Sequence, residues 1–253
     1  MMNKTSMLCS ATGQKAALAA SACRYGLVAA LIAAAAIATA AVQGPAAPQP
    51  VAGDTYVYRI INAYNNEIRG QLSYRVDKTE ADRITQSVSA DQPGMRAAST
   101  EILTQDGNWL RHTIVNHDQL VDYAFSPAYP SYEFPLDTGK EWSTRVNAVN
   151  AETGASHSVR IDATVVGTER IRVPAGEFDT IKIRRSVYAG DSASYLNLTE
   201  TSIFETEWFA PALGRTVRIA RNSGYLDLSR GPRSRAMRGD WEIHELVAAP
   251  PMR

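Results

Sequence analysis

Beyond residue 54, apolar and polar side chains alternate one by one along most of the chain. In "RGQLSYRVD" (69–77), Leu72, Tyr74 and Val76 share one side, and Gln71, Ser73 and Arg75 the other. "SVRIDATV" sets Val159, Ile161, Ala163 and Val165 against Ser158, Arg160, Asp162 and Thr164. "DTIKIRRSV" sets Ile181, Ile183 and Val187 against Thr180, Lys182, Arg184 and Ser186. A period of two belongs to strands with one buried and one wet face. The same pattern predicts strands near 55–62, 82–89, 98–104, 108–115, 119–125, 141–149, 200–209, 214–221 and 241–247. No stretch after residue 54 carries a helical stripe over three turns. Turn residues punctuate the pattern at Asn65-Asn66, Pro93-Gly94, Asp106-Gly107, Asp137 to Gly139, Pro174 to Gly176 and Pro211 to Gly214. The expectation is an all-β fold, an antiparallel meander curled into a barrel or half-barrel, with a β-sandwich as the alternative.

Two turns are explicit. In "VPAGEFDTIKI" (173–183), Pro174 presets φ and holds Val173 extended, while Gly176 supplies the freedom a tight turn needs. "EWFAPALGRTVRI" (207–219) repeats the plan with an aromatic pair, a Pro-x-x-Gly turn and an outgoing strand. Together with "FPLDTGKEW" (134–142), these hairpins resemble the exported all-β domains of unknown function common in proteobacteria. The resemblance covers about 134–218. It implies a fold similar to the curved, lipid-cradling sheet of the periplasmic lipoprotein carriers, and it brings no catalytic residues.

The first 53 residues differ from the rest. Lys4, Lys15 and Arg24 are the only charges before Asp54, and an uncharged, Ala-rich run follows from Tyr25. Ala38-Thr39-Ala40 offers the small residues that a signal peptidase reads. Residues 1–40 are expected to be a signal peptide, or an uncleaved anchor in the inner membrane, with the remainder in the periplasm. "GPAAPQPVAG" ends a Pro/Ala-rich linker over 41–53, a single β domain covers 54–248, and 249–253 is a tail. Both cysteines, Cys9 and Cys23, precede the expected cleavage, so no disulfide or thiolate chemistry is expected in the domain. Removing Lys4, Lys15 and Arg24 from the 26 basic residues leaves 23 against 26 acidic ones, a net charge of −3. That balance argues against nucleic acid as a partner.

Candidate chemistry is sparse. His112 and His117 are five apart, so on one strand they face opposite sides, and no carboxylate completes a metal set with them. No Gly-x-Ser-x-Gly elbow, P-loop or dinucleotide fingerprint occurs, and no cofactor is implied. Glu205 and Glu207 share a strand face at about 6–8 Å, a spacing that glycosidases use. The expected setting for the pair is a solvated face with Arg218 or Lys182 nearby. "SRGPRSRAMRGD" (229–240) gathers Arg230, Arg233, Arg235 and Arg238 on an expected loop, a candidate contact for lipid phosphate or an acidic partner at the membrane surface. "AFSPAYPSYEFP" (124–135) gathers Phe125, Tyr129, Tyr132 and Phe134 among prolines, either as a recognition loop or as a plug closing the barrel. The functional expectation is a non-enzymatic protein of the cell envelope that binds or carries an apolar, lipid-like ligand in the concavity of its sheet. A periplasmic interaction or scaffolding module, meeting another envelope protein, is the alternative, and a hydrolase comes last.

Overall fold

A computed structural model describes residues 50–92, 98–116, 119–190, 201–227 and 235–251. Twelve strands follow one another: β1 (Thr55–Asn62), β2 (Glu67–Thr79), β3 (Ile84–Ala90), β4 (Ser99–Leu103), β5 (Trp109–Asn116), β6 (Gln119–Tyr129), β7 (Glu141–Asn150), β8 (Ser156–Val173), β9 (Gly176–Ala189), β10 (Thr201–Ala210), β11 (Arg215–Asp227) and β12 (Arg235–Ala248). Each pairs antiparallel with the next, and β1 pairs with β12, so the sheet closes into a barrel. Closure gives every described strand a neighbour on both sides. It is the full barrel, and not the half-barrel or the sandwich, that forms.

Local irregularities bend the sheet round. Register shifts interrupt the pairing between Val165 and Gly167, between Trp208 and Phe209, and between Asn222 and Gly224. An extra residue in one strand kinks it and increases its twist, which is how a flat ladder is brought to close. The two turns anticipated from sequence are present. Val173 pairs with Gly176 across the β8–β9 turn, where Gly176 has φ 139°. Pro211–Leu213 forms a short 3-10 turn that ends on Gly214 at φ 57°, ψ 29°.

Alternation sends one side of every strand inward. On β8, Val159, Ile161, Ala163 and Val165 are buried, and on β9 so are Ile181, Ile183 and Val187. Complete burial of a side chain such as Ile183 stabilises by about 1.5–3 kcal/mol. The interior divides into three apolar clusters. One centres on Tyr58, Leu72 and Leu246, one on Ile114, Phe125 and Ile161, and one on Leu136, Trp142 and Phe209.

Two segments depart from the expected elements. β6 runs through Tyr129, so half of the 124–135 segment is strand and not loop. β6 and β7 pair only from Tyr123–Asn150 to Ser126–Asn147. The chain after Tyr129 fills the space beyond: Trp142 Nε1 donates to the carbonyl of Pro130 at 3.2 Å, and Tyr132 and Phe134 pack against Phe209. β12 likewise begins at Arg235, so the latter part of the 229–240 segment is strand, facing Asp227 and Gly224 of β11.

Candidate functional site

Charged residues enter the apolar interior at a few positions of the inward parity. On β9 the buried series Ile181, Ile183, Val187 is interrupted by Arg185, whose side chain is 1 % exposed. Strand pairing sets Glu205 of β10 directly opposite Arg185 on one side and Arg221 of β11 on the other. Arg185 Nη1 donates to Glu205 at 2.9 Å, and its Nη2 donates to Glu207 at 3.0 Å and to the Ser131 carbonyl at 2.7 Å. Arg221 Nε lies 3.0 Å from the other oxygen of Glu205. Glu207 also accepts from the hydroxyls of Tyr132 and Thr216.

The pair Glu205 and Glu207 therefore faces the barrel interior and not solvent. Lys182 and Arg218, the partners expected from sequence, lie over the ring of Trp208 at 5.1 Å each. The reason lies in Arg185: with a guanidinium on the inward face of β9, two buried carboxylates on β10 become tolerable, since each has donors in place. Burial raises the Glu205 carboxyl, but Arg221 and then Arg185 outweigh it and hold it below the usual range. A glycosidase acid needs the opposite shift, to keep its proton near neutral pH. Both carboxylates form ion pairs with Arg185.

A second polar set surrounds a cavity of about 140 Å³ beside this network. The cavity lies toward the β4–β5 turn and the Pro211–Gly214 turn, with Gly107, Leu213 and Gly214 on its rim. β1 supplies Tyr56 and Tyr58, β3 Gln86, β4 Glu101, β5 Trp109 and His112, and β11 Arg215. Gln86 Nε2 donates to Glu101 at 2.6 Å, and His112 Nδ1 lies 2.8 Å from the other Glu101 oxygen. The His112 ring stacks on Trp109, centroids 3.8 Å apart and planes 3° from parallel. Arg215 donates through Nε to the Tyr58 hydroxyl and through Nη2 to Gln86 Oε1, both at 3.2 Å, and its guanidinium lies 4.1 Å from the Tyr56 ring. Tyr58 in turn donates to the Thr216 carbonyl at 2.6 Å. Burial pushes the Tyr58 hydroxyl up to about 12, against a smaller opposing pull from Arg215.

Among the described residues, three polar atoms of the cavity's lining residues have no hydrogen-bond partner: Ser131 Oγ, Trp109 Nε1 and Arg221 Nε, the last of which meets Glu205 as an ion pair. Ser131 is 2 % exposed. A buried polar atom left unpaired costs about 1–3 kcal/mol. Ser131 Oγ makes no contact with His112 that would activate it as a nucleophile, although both line the cavity. The wall differs from the apolar concavity expected from sequence, because Gln86, Glu101, His112 and Arg215 contribute to it.

The candidate contacts from sequence are distributed as follows. Phe125 and Tyr129 are buried and meet edge to face at 5.5 Å. Tyr132 reaches Glu207 at the cavity, and Phe134 packs on Phe209. Arg235 and Arg238 are exposed on β12, whereas Arg230 and Arg233 lie outside the described residues, as does His117. The structure thus brings Tyr132 to the cavity and leaves Arg235 and Arg238 on the outer surface. Sequence reading missed Tyr58, Gln86, Glu101, Arg185 and Arg215. Parity was the available signal for Arg185, which shares its side with Ile183 and Val187.

No protein-family model matches the sequence, and no curated protein matches it either. Three solved structures are similar in chain path. One is a lipoprotein candidate from Parabacteroides distasonis, 15% identical, covering 82% of this chain and 99% of that one, with a TM-score of 0.47. A second is an exported-protein candidate with a YmcC-like fold from Bacteroides fragilis, 13% identical, covering 83% and 100%, TM-score 0.47. The third is the hypothetical lipoprotein YmcC from Escherichia coli, 10% identical, covering 79% and 86%, TM-score 0.36.

Proposed function

We propose that this chain is an exported, non-enzymatic binding protein of the cell envelope that takes a small ligand into the end of its barrel. The observation that carries the reading is the cavity in which buried Ser131 Oγ and Trp109 Nε1 lack partners beside an otherwise bonded polar wall. Ligand sites combine apolar and aromatic walls with a few well-placed polar groups, and Tyr56, Tyr58 and Trp109 supply the former here. Residues 1–40 support export, through their basic start, Ala-rich run and Ala38-Thr39-Ala40.

The size and wall of the cavity favour a small molecule over a lipid. At about 140 Å³ it lies below the roughly 300–1,000 Å³ of drug-sized sites. An acyl chain would also offer no hydrogen bond to Ser131 Oγ or Trp109 Nε1. Native mass spectrometry of the protein purified from an envelope extract tests the reading. The expected result is an adduct lighter than a phospholipid, absent from the variant Ser131→Phe, whose ring fills the cavity. An adduct of phospholipid mass would restore the lipid-carrier reading. A small adduct kept by Ser131→Phe would move the site elsewhere.

A further inference from the structure

Matching the interior charges one by one singles out Arg215. Arg185 and Arg221 are met by Glu205 and Glu207. The oxygens of Glu101 are engaged by Gln86 and His112. Arg215 stands on the cavity wall with neutral acceptors, the Tyr58 hydroxyl and the Gln86 carboxamide, and with no carboxylate at ion-pairing distance among the described residues. Those two bonds use two of the five N–H donors of a guanidinium. Its guanidinium carbon lies over the Tyr56 ring, 4.1 Å from the centroid, and 5.5 Å from that of Tyr74. A guanidinium held by its face and by part of its edge offers the remaining edge to a planar, two-oxygen acceptor.

We infer that the cavity binds a small organic monocarboxylate with a flat apolar body, its carboxylate held by Arg215. The inference rests on the binding reading above and names the ligand's class. The flat body follows from the aromatic wall, where Tyr58, Tyr74 and Trp109 line the space. Ser131 Oγ and Trp109 Nε1 supply hydrogen-bond donors that no protein group uses. One negative charge is preferred to two because Glu101 and Glu207 line the same cavity and repel further anionic charge. At about 140 Å³ the cavity suits a single ring better than a nucleotide or a peptide.

Isothermal titration of the full chain with benzoate, benzamide and phenyl phosphate tests this. Benzoate and benzamide share a shape and differ in charge, so the comparison on the parent protein needs no variant. Benzoate is expected to bind at least tenfold tighter than benzamide, and tighter than phenyl phosphate. Arg215→Met, checked for parental thermal unfolding, should bring benzoate and benzamide within about twofold of each other, while Arg215→Lys keeps part of the preference. Equal binding of benzoate and benzamide to the parent would overturn the carboxylate and leave the binding pocket standing. Tighter binding of phenyl phosphate would overturn the single charge. Binding of none of the three would overturn the pocket itself and this inference with it.

Discussion

Arg185 shows how one residue decides what its neighbours can be. Its side chain is 1 % exposed, and it joins Glu205, Glu207 and the carbonyl of Ser131 across two strands and the segment following β6. Removing it would leave Glu205 to Arg221 and would leave Glu207 with the hydroxyls of Tyr132 and Thr216 but no cation among the described residues. Breaking a buried ion pair from one side typically costs about 3–5 kcal/mol, whereas replacing the whole set with neutral groups is often tolerated. Arg185→Met is therefore expected to lose about 3–5 kcal/mol in urea unfolding, and adding Glu207→Gln, which leaves the Glu205–Arg221 pair intact, should recover part of that loss. If the double variant were no more stable than the single one, Arg185 would act through packing and not through charge. The sequence carried only half of this information. Parity placed Ile183 and Val187 inside, and by the same count Arg185 between them. A charge on an apolar face has no meaning, however, until its partners are known, and Glu205 comes next to Arg185 only through strand pairing. Glu101 and Gln86 stayed hidden for the same reason, since nothing in the spacing of β3 and β4 says that one faces the other.

At the scale of elements, legibility was high because each strand carries its own signal. The alternation in 158–165 marked β8, and Pro174 with Gly176 marked the turn to β9, both from residues adjacent in the chain. The extension of β6 through Tyr129 was not legible, because three prolines in 124–135 masked a strand whose aromatic residues are bought into order by tertiary packing alone. The turn before β11 links local geometry to the cavity. Gly214 sits in the left-handed region at φ 57°, its N–H donates to the Pro211 carbonyl at 3.1 Å, and Arg215 follows at once. A side chain costs about 1–2 kcal/mol in that conformation. Gly214→Ala should lower stability by about that amount in denaturant unfolding. Because the turn aims Arg215, the variant should also weaken benzoate binding more than benzamide binding. An unchanged ratio between the two probes would show that the turn does not position the guanidinium.

The whole molecule depends on a seam that no local pattern announces: β1 and β12, from the two ends of the described chain, close the barrel. Glu245 of β12 pairs in register with Arg59 of β1, and the two side chains meet at 2.6 Å. Glu242, three residues earlier, accepts from Arg69 of β2 at 2.7 Å and lies 3.3 Å from His244, which borders the cavity. Burial raises the Glu242 carboxyl, but the bond to His244 and the charges of His244, Arg221 and Arg69 bring it down to about 2 from 4.5. A carboxyl lowered by folding stabilises fully above its unfolded value and loses that contribution as pH falls through its folded value. The window is therefore about pH 4.5 down to about 2. A shift of that size corresponds to at most about 3 kcal/mol of stabilisation, reached while His244 is protonated. Glu242→Gln should accordingly be less stable than the parent by up to about 3 kcal/mol just above pH 4.5, and the two unfolding curves should converge as pH falls toward 2. A gap that stayed constant from pH 7 to pH 2 would mean that the seam is held by packing between β1 and β12, with the Glu242 charge contributing nothing to closure.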